Sequence, residues 1–441
     1  MTSPATIPLF AASGPPEPVP QGRHGKRRWL VDRPLEPVEV ECTGFTTGGR
    51  AVGKAPDGRT VFVEYALPGE RVIAEVTAHH PTYLEACAIT VLRPSPERVA
   101  PRCGYFGRCG GCQLQHASYP EQLRLKTEVV AEQLRRIGRF DAAEVASLLR
   151  PMLGMEEPWG YRNHLRFTVR RDGEVGYMLR GTHRFLRIDH CAIAHPRVDE
   201  ILRRVQGNTT VAHQLAIRIG EHTGEAMVQP KIDWRPGHRA AHVESGQKTY
   251  HETLNGVPYQ ISGPAFFQVN TRQAERLVAL AVAHALEVQP HVVVDAYAGV
   301  GTFAGQLAEH VDQVVTIEES PAAGVDAAAN LAQFENVTRL TGKVEALLPG
   351  MTPEPDVVII DPPRAGLWPA VVEAILVSAA RRVVYVSCDP STLARDLRLF
   401  VDGGFVLREV QPVDMFPQTQ HIECVVALDR AGRAAPAAGR A

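Results

Sequence analysis

Short apolar runs separated by Gly-containing turns dominate the first patterned stretch of the chain. They are Val38-Glu39-Val40, Arg59-Thr60-Val61-Phe62-Val63, Glu70-Arg71-Val72-Ile73-Ala74-Glu75-Val76 and Ala86-Cys87-Ala88-Ile89-Thr90-Val91-Leu92. Four or five strands packed so closely predict a small β-barrel of the oligonucleotide-binding type over 38–96. The period then changes. Leu123, Val130, Leu134 and Ile137 recur at roughly helical spacing and predict a helix over 119–139. Residues 161–261 read as mainly antiparallel β, with turns at Asp172-Gly173 and Glu244-Ser245-Gly246. A helix is predicted over 271–286, with Thr271 as its N-cap. From His291 onward the pattern is a strict β-α alternation, with strands near 291–296, 313–318, 356–361 and 382–387, which predicts a doubly wound sheet. Two final strands, 404–411 and 421–428, are joined by a loop, and no internal repeat is present.

The 441 residues suffice for two or three domains with sizeable cores. No apolar run approaches the roughly 20 residues of a membrane span. The first 28 residues are rich in Pro and Ala, and their basic cluster (Arg23, Lys26, Arg27, Arg28) follows the apolar stretch. A secretory signal has the opposite order, so residues 1–37 are expected to be a disordered tail of a cytoplasmic protein, and 431–441 likewise. The net charge of −2 excludes a globally basic nucleic-acid binder. The halves differ, however: residues 1–200 carry 27 Lys and Arg against 23 Asp and Glu, the remainder 20 against 26. The densest basic stretch holds Arg162, Arg166, Arg170, Arg171, Arg180, Arg184 and Arg187, with Tyr161, Phe167, Tyr177 and Phe185 interleaved. It suits phosphate contact with base stacking, or equally a solvated antiparallel strand face.

The chemistry gathers at predicted strand ends, where open α/β sheets hold their ligands. Ser387-Cys388-Asp389-Pro390 follows an apolar strand and opens a helix, so Cys388 is a candidate nucleophile, its thiolate favoured by the helix amino terminus. Asp361, in Asp361-Pro362-Pro363-Arg364, ends another strand, and Glu423 opens a third. Residues 292–304 form a strand, a Gly-containing turn and a helix start with G-x-G-x-x-A spacing at Gly299 and Gly301. Asp295 at that turn disfavours a pyrophosphate and favours the sulfonium and ammonium of S-adenosylmethionine, and Glu318 ends the next strand, where a carboxylate can accept ribose hydroxyls. Cys103, Cys109 and Cys112, with Cys191 further on, suit either zinc or a four-iron–four-sulfur cluster, since disulfides are not expected in a cytoplasmic chain. Cys42, Cys87 and Cys424 are assigned to packing.

From Val38 to Leu428 these residues resemble the S-adenosylmethionine-dependent RNA (uracil-5-)-methyltransferases, above all the bacterial iron–sulfur enzymes of 23S ribosomal RNA. The motifs that carry the resemblance are Phe266-Phe267-Gln268-Val269-Asn270, the loop 295–301, Asp361-Pro362-Pro363-Arg364, Ser387-Cys388-Asp389-Pro390 and the run 414–423. Two positions depart from the family's usual pattern, Ala298 and Asp389, as does the run 341–345 where adenine contacts are usual.

The resemblance implies an α/β chain: a carboxy-terminal doubly wound, Rossmann-like class I methyltransferase domain over 263–430, an amino-terminal OB-like barrel (TRAM) over 38–96, and a central, mainly antiparallel β domain over 97–262. It implies S-adenosyl-L-methionine held by Gln268, Asp295, Tyr297, Gly299, Gly301, Glu318 and Asp361, and a [4Fe-4S] cluster on Cys103, Cys109, Cys112 and Cys191. It implies methylation of carbon 5 of a uridine in 23S rRNA by a cytoplasmic monomer, with Cys388 attacking carbon 6, Glu423 removing the carbon 5 proton and Asp361 holding N3–H. Arg364 is either a stabiliser of charge on the ring oxygens or a plain surface residue. A tRNA substrate, or a catalytically inactive RNA-binding iron–sulfur protein, are the alternatives. An amino-methyltransferase is disfavoured, because Arg364 stands where such enzymes carry an aromatic residue.

Overall fold

The computed structural model describes residues 7–8, 36–209, 213–234 and 243–432. Strands β2 (Val38–Thr46), β3 (Arg50–Lys54), β4 (Thr60–Glu64), β5 (Arg71–His79) and β6 (Tyr83–Arg93) pair in the order β6-β4-β3-β2-β5 and close through β5–β6 into a barrel. Inward residues alternate along them, so Val40, Cys42, Val61, Val63, Val72, Ala74, Leu84 and Ala86 form its core. A two-residue strand, β1 (Ile7–Pro8), pairs with β6, so part of the tail expected to be disordered is ordered. The rest of 1–35, and 433–441, lie outside the described residues.

Helices α1 (Tyr119–Arg136) and α2 (Ala142–Leu148) come next, capped by the Ser118 and Asp141 side chains. Both fall in the segment expected to form a central domain, yet they pack on the carboxy-terminal sheet. Val129, Val130, Leu134, Phe140 and Val145 share a core with Val383, Leu393, Phe400 and Leu407. Ile137, expected on the apolar face, is 40% exposed because the helix ends one residue before it.

The antiparallel sheet combines β7 (His164–Val169), β8 (Val175–Met178), β9 (Phe185–Arg187), β10 (His213–Ile219) and β11 (Ala226–Gln229) in the order β11-β10-β7-β8-β9. Helix α3 (Pro196–Val205), which the sequence pattern did not reveal, covers one face. Half-buried Phe185 lies under Arg170, while the other aromatics of the basic stretch face inward: Tyr161 and Phe167 are buried and Phe167 stacks on Tyr177. They hold the sheet together and cannot serve as base-stacking platforms. Arg180 is likewise committed, pairing with Glu64 and so bracing the barrel.

The hairpin β12 (Thr249–Leu254) and β13 (Val257–Ser262) leads into α4 (Thr271–Leu286). Its N-cap is Asn270, whose side chain accepts from the Gln273 N–H; Thr271, expected as the cap, is instead the first helical residue. The remaining elements are β14 (Val292–Ala296), α5 (Thr302–Leu307), β15 (Gln313–Glu318), α6 (Pro321–Asn330), β16 (Val337–Thr341), α7 (Val344–Leu347), β17 (Val357–Ile360), α8 (Pro369–Val377), β18 (Arg382–Ser387), α9 (Pro390–Asp402), β19 (Phe405–Val413) and β20 (Glu423–Arg430). The seven strands run β16-β15-β14-β17-β18-β20-β19, parallel except for β20. Near-continuous Val and Ile runs build β14, β17 and β18, as both faces of such a sheet are buried. No helix among the described residues is long and apolar enough to cross a membrane.

The segment between β19 and β20 is tied down more heavily than any regular turn would be. Lys126 Nζ of α1 donates to Asp414 Oδ1 at 2.6 Å and to Phe416 O at 3.1 Å, and both charged side chains are almost wholly buried. Tyr119 donates to the other carboxylate oxygen at 2.9 Å. Replacing one partner of such a pair strands the other charge. Lys126→Met should therefore cost about 3–5 kcal/mol in chemical denaturation, and adding Asp414→Leu should recover most of the loss. A cost below roughly 1 kcal/mol would show that the pair is not what anchors α1 to this segment.

Candidate active site

Strand direction decides which residues meet. The ladder between β18 and β20 ends with Ser387 opposite Cys424, and one further step brings Cys388 opposite Glu423. Side chains so paired lie within about 5 Å at their Cβ atoms. Because β20 alone runs backwards, its first residue sits at the edge where the parallel strands end. Asp361 follows Ile360, which is in register with Tyr385 of β18 and Ala296 of β14. Cys388, Glu423 and Asp361 thus converge on one edge.

Cys388 lines a cavity of about 130 Å³ with Arg364, Asp389, His421, Lys126 and the barrel loop Phe45, Thr46, Thr47, Gly48 and Gly49. Arg364 Nη2 lies 3.0 Å from His421 Nδ1. Burial, then the Glu423 and Asp361 carboxyls, push the Cys388 thiol up to about 12. The helix amino terminus does not offset this, contrary to the expectation from sequence. Asp389 caps α9, its Oδ1 accepting from the Ser391 and Thr392 N–H groups at 2.9 and 3.1 Å, so those amides are occupied by a carboxylate. Glu423 is buried and its pKa is raised well above the carboxylate range, by desolvation first and Asp361 second. Desolvation raises Asp361 to about 7. Burial thus disfavours ionisation of both carboxyls, and the Asp361 charge further disfavours that of Glu423. Arg364 acts in the opposite direction on Cys388 and Glu423.

A second cavity, of about 430 Å³, opens beside β14 and β15, where the strand order reverses. Tyr297, Glu318, Lys343, Glu345, Pro363 and Trp368 are among its walls. Tyr297, Gly299 and Gly301 all have positive φ, and a Cβ on Gly301 would meet Leu331 at 2.8 Å, so that turn requires glycine there. Glu318 accepts from Gly299 N–H at 2.8 Å and Ser320 N–H at 2.6 Å, which fixes its orientation. Asp295 is buried: Oδ2 accepts from Ala304 N–H at 2.9 Å, while Oδ1 has no partner. Burial raises its pKa to about 7. An orphaned carboxylate oxygen suits a cationic ligand, so the residues fit S-adenosylmethionine. Gln268, Asp295, Gly299, Gly301 and Asp361 are not on the wall of this cavity; the run 266–270 is held instead against the segment after β19, with Asn270 Nδ2 donating to Met415 O at 2.9 Å.

All four cysteines of the expected metal set, although Cys191 is remote in sequence, line one cavity of about 500 Å³. The N–H groups of Gly111 and Ile193 are directed at the sulfurs of Cys109 and Cys191, and burial pushes the Cys191 thiol to about 12. As the side chains stand, no three His, Cys, Asp or Glu among the described residues are close enough to hold one metal ion.

Thr419 and His421 line this cysteine cavity, and His421 also lines the cavity of Cys388. The Gln113 and Leu114 N–H groups donate to Gln418 O at 3.1 and 3.0 Å, and Gln420 N–H donates to Gln113 Oε1 at 3.2 Å. Gln122 grips Gln418 from the other side with two 3.0 Å bonds, and Tyr161 donates to Pro417 O at 2.9 Å. Sequence reading gave no role to Lys126, Gln122, Gln418, His421 or the barrel loop. Only a buried Lys in an amphipathic helix hinted at one of them.

Residues 36–89 match the TRAM domain, and residues 353–431 match the tRNA (Uracil-5-)-methyltransferase family. An "Uncharacterized RNA methyltransferase" of Halalkalibacterium halodurans is 36% identical over 448 residues, covering 89% of this chain and 96% of that protein. Another, of Streptomyces avermitilis, is 36% identical over 434 residues, covering 90% and 99%. In fold, the chain is similar to the Pyrococcus abyssi tRNA (uracil-54, C5)-methyltransferase solved in complex with S-adenosyl-L-homocysteine, with a TM-score of 0.68 at 24% identity over 88% of this chain and 100% of that one. With its barrel, its reversed strand and its strand-end Cys and carboxyls, the chain belongs to the S-adenosylmethionine-dependent RNA (uracil-5-)-methyltransferase family.

Proposed function

We infer that the protein methylates carbon 5 of a specific uridine in 23S rRNA through a covalent adduct between Cys388 and carbon 6 of the base. The observation that carries this reading is that Cys388 and Glu423 each stand one residue past the last pair of the β18–β20 ladder, Ser387 and Cys424, with Glu423 and Asp361 both in electrostatic reach of the thiol. Carbon 5 of uracil is a poor nucleophile. Bond formation between the Cys388 thiolate and carbon 6 shifts the ring's π electrons towards carbon 5 and the ring oxygen. Arg364 lines the same cavity and would face that developing charge. Asp361 would accept from N3–H, which cytosine lacks. S-adenosylmethionine would supply the methyl group when bound; Tyr297 and Glu318, on the wall of the cavity, would hold it, and the resemblance adds Gln268, Asp295, Gly299, Gly301 and Asp361, which stand off that wall. Glu423 then takes the carbon 5 proton, the ring double bond re-forms and the carbon 6–sulfur bond breaks. A carboxylate whose pKa is raised by burial is a strong base once ionised.

Cys103, Cys109, Cys112 and Cys191 would hold a [4Fe-4S] cluster. The N–H groups of Gly111 and Ile193, directed at the sulfurs of Cys109 and Cys191, would favour sulfide-bridged iron over zinc. The bound cluster would cross-link the segment 103–112 to Cys191. That reading favours a cytoplasmic setting, with its reduced thiols, and nothing in it requires a second subunit.

Glu423→Gln should lower turnover by about 10²–10⁴-fold and trap the methylated RNA on Cys388 as a heat-stable, slower band in a denaturing gel. Near-normal turnover without that band would remove Glu423 as the base. Mapping 5-methyluridine in a deletion strain should show one 23S rRNA position lost and tRNA unchanged; the reverse result would make tRNA the substrate. Anaerobically purified protein should be brown and hold about four irons per chain. One zinc per colourless chain would overturn the cluster. Methyl transfer needs no electron from a cluster, yet the bonds from Gln113 and Leu114 to Gln418 couple the cysteine-rich segment to the run that ends in Glu423. Cys112→Ser should therefore slow methyl transfer as well as bleach the colour.

A further inference from the structure

A third cavity, of about 570 Å³, has no part in the reaction described above. It lies on the face of β7, β10 and β11 opposite helix α3. The register explains its composition. Leu165, Phe167, Leu215, Ile217 and Val228 point towards α3 and are buried, so the alternate residues His164, Arg166, Gln214, Ala216 and Gln229 face the other way. Arg218, buried and opposite His164 in the ladder, joins them, and Pro230, Lys231, Gly246 and Gly263 complete the wall.

Three cations line this basin and no Asp or Glu does. Arg218 spends its guanidinium on neutral acceptors, the carbonyls of Ala265 at 2.9 Å and Gly263 at 3.0 Å, which rigidify it without cancelling its charge. Arg166 and Lys231 are exposed and engage no carboxylate among the described residues. His164 carries a buried Nε2 with no hydrogen-bond partner. Burial and the neighbouring arginines push its pKa down to about 3, so it is a neutral imidazole that can donate one hydrogen bond. Elsewhere in this sheet arginines are matched: Arg170 and Arg187 pair with Asp172, Glu174 and Asp189. Unmatched positive charge over a concave polar face, with an unused polar nitrogen, is the signature of an anion site.

Its position says which anion. Arg166 also lines the cysteine cavity, and His421 is common to that cavity and the one holding Cys388. The three cavities therefore succeed one another along the molecule. We propose that this basin binds the phosphodiester backbone of the substrate RNA strand at a nucleotide away from the methylated uridine, with Arg166 and Lys231 as the phosphate contacts and His164 and Gln214 as adaptable hydrogen-bonding partners. The assignment rests on RNA being the substrate. It makes the antiparallel sheet, beside the barrel, a second anchor for the strand. The uridine must leave its stack to reach Cys388, so the anchored RNA is single-stranded there.

The test compares the full-length wild type with an Arg166→Gln, Lys231→Gln double variant and with an Arg136→Gln, Arg339→Gln control that removes the same net charge. A fluorescent single-stranded oligouridylate is titrated at several salt concentrations, with thermal unfolding to verify that all three proteins are folded. The double variant should bind about five- to ten-fold more weakly near physiological salt. Its slope of log affinity against log salt should be shallower by roughly 1.4, which is about 0.7 for each single-strand phosphate that is no longer neutralised. The control should match the wild type. If the double variant and the control are indistinguishable, the basin holds no RNA phosphate. If inorganic phosphate protects Lys231 from acylation but the RNA slopes are unchanged, the basin takes a small anion and the proposal fails. A wild type that itself shows no salt-dependent RNA binding would sink the RNA reading as a whole, a result distinct from either of these.

Discussion

A single reversed strand, and the nine-residue segment that leads into it, govern the arrangement of this candidate active site. In an all-parallel sheet each strand would end at the catalytic edge and none would begin there. β20 runs against β18, so Glu423 starts where Cys388 stops. That geometry is useful only if the preceding segment holds still, and it is pinned from several sides. Lys126 and Tyr119 hold Asp414, Gln273 Nε2 donates to Asp414 O at 3.1 Å, Asn270 holds Met415, and Gln122 and Gln113 hold Gln418 and Gln420. Gln418 sits at φ 69°, an uncommon conformation for a non-glycine residue, and these bonds over-determine it. Helix α1 packs on the catalytic domain in part because this clamp starts on it.

Electrostatics at the edge follow from crowding acids into a desolvated place. Asp295, Asp361 and Glu423 are all raised by burial first, and Asp361 raises the other two further. Burial and the Glu423 and Asp361 carboxyls likewise hold the Cys388 thiol above its ordinary range. A cation beside Asp295 would favour its ionised form, and Arg364 already acts to lower both Cys388 and Glu423.

The modules are interlocked. The barrel loop from Phe45 to Gly49 forms a wall of the Cys388 cavity, so the TRAM domain helps to enclose that thiol. The cysteine-rich segment bonds directly to the segment before Glu423, which links whatever occupies the cysteine cavity to the position of the base. Arg180, which from sequence suited either a phosphate contact or a solvated strand face, joins the central sheet to the barrel through Glu64.

Period-two and β-α patterns made the barrel and the doubly wound sheet legible in the sequence, because burial on one face or both dictates where apolar residues stand. The strand-end positions of Cys388, Asp361, Asp295 and Glu318 were legible for the same reason, since a residue at the end of an apolar run can only lie at a sheet edge. Local chemistry beyond that was misread where one competing neighbour decided it: Asp389 took the amides that would have favoured the Cys388 thiolate, and Asn270 took the cap from Thr271. Long-range pairing was out of reach. That Lys126 reaches Asp414, and that Arg166 rather than Arg180 faces an open basin, depend on contacts between segments far apart in the chain. Periodicity reports which side of an element is buried; only the packed structure decides against what.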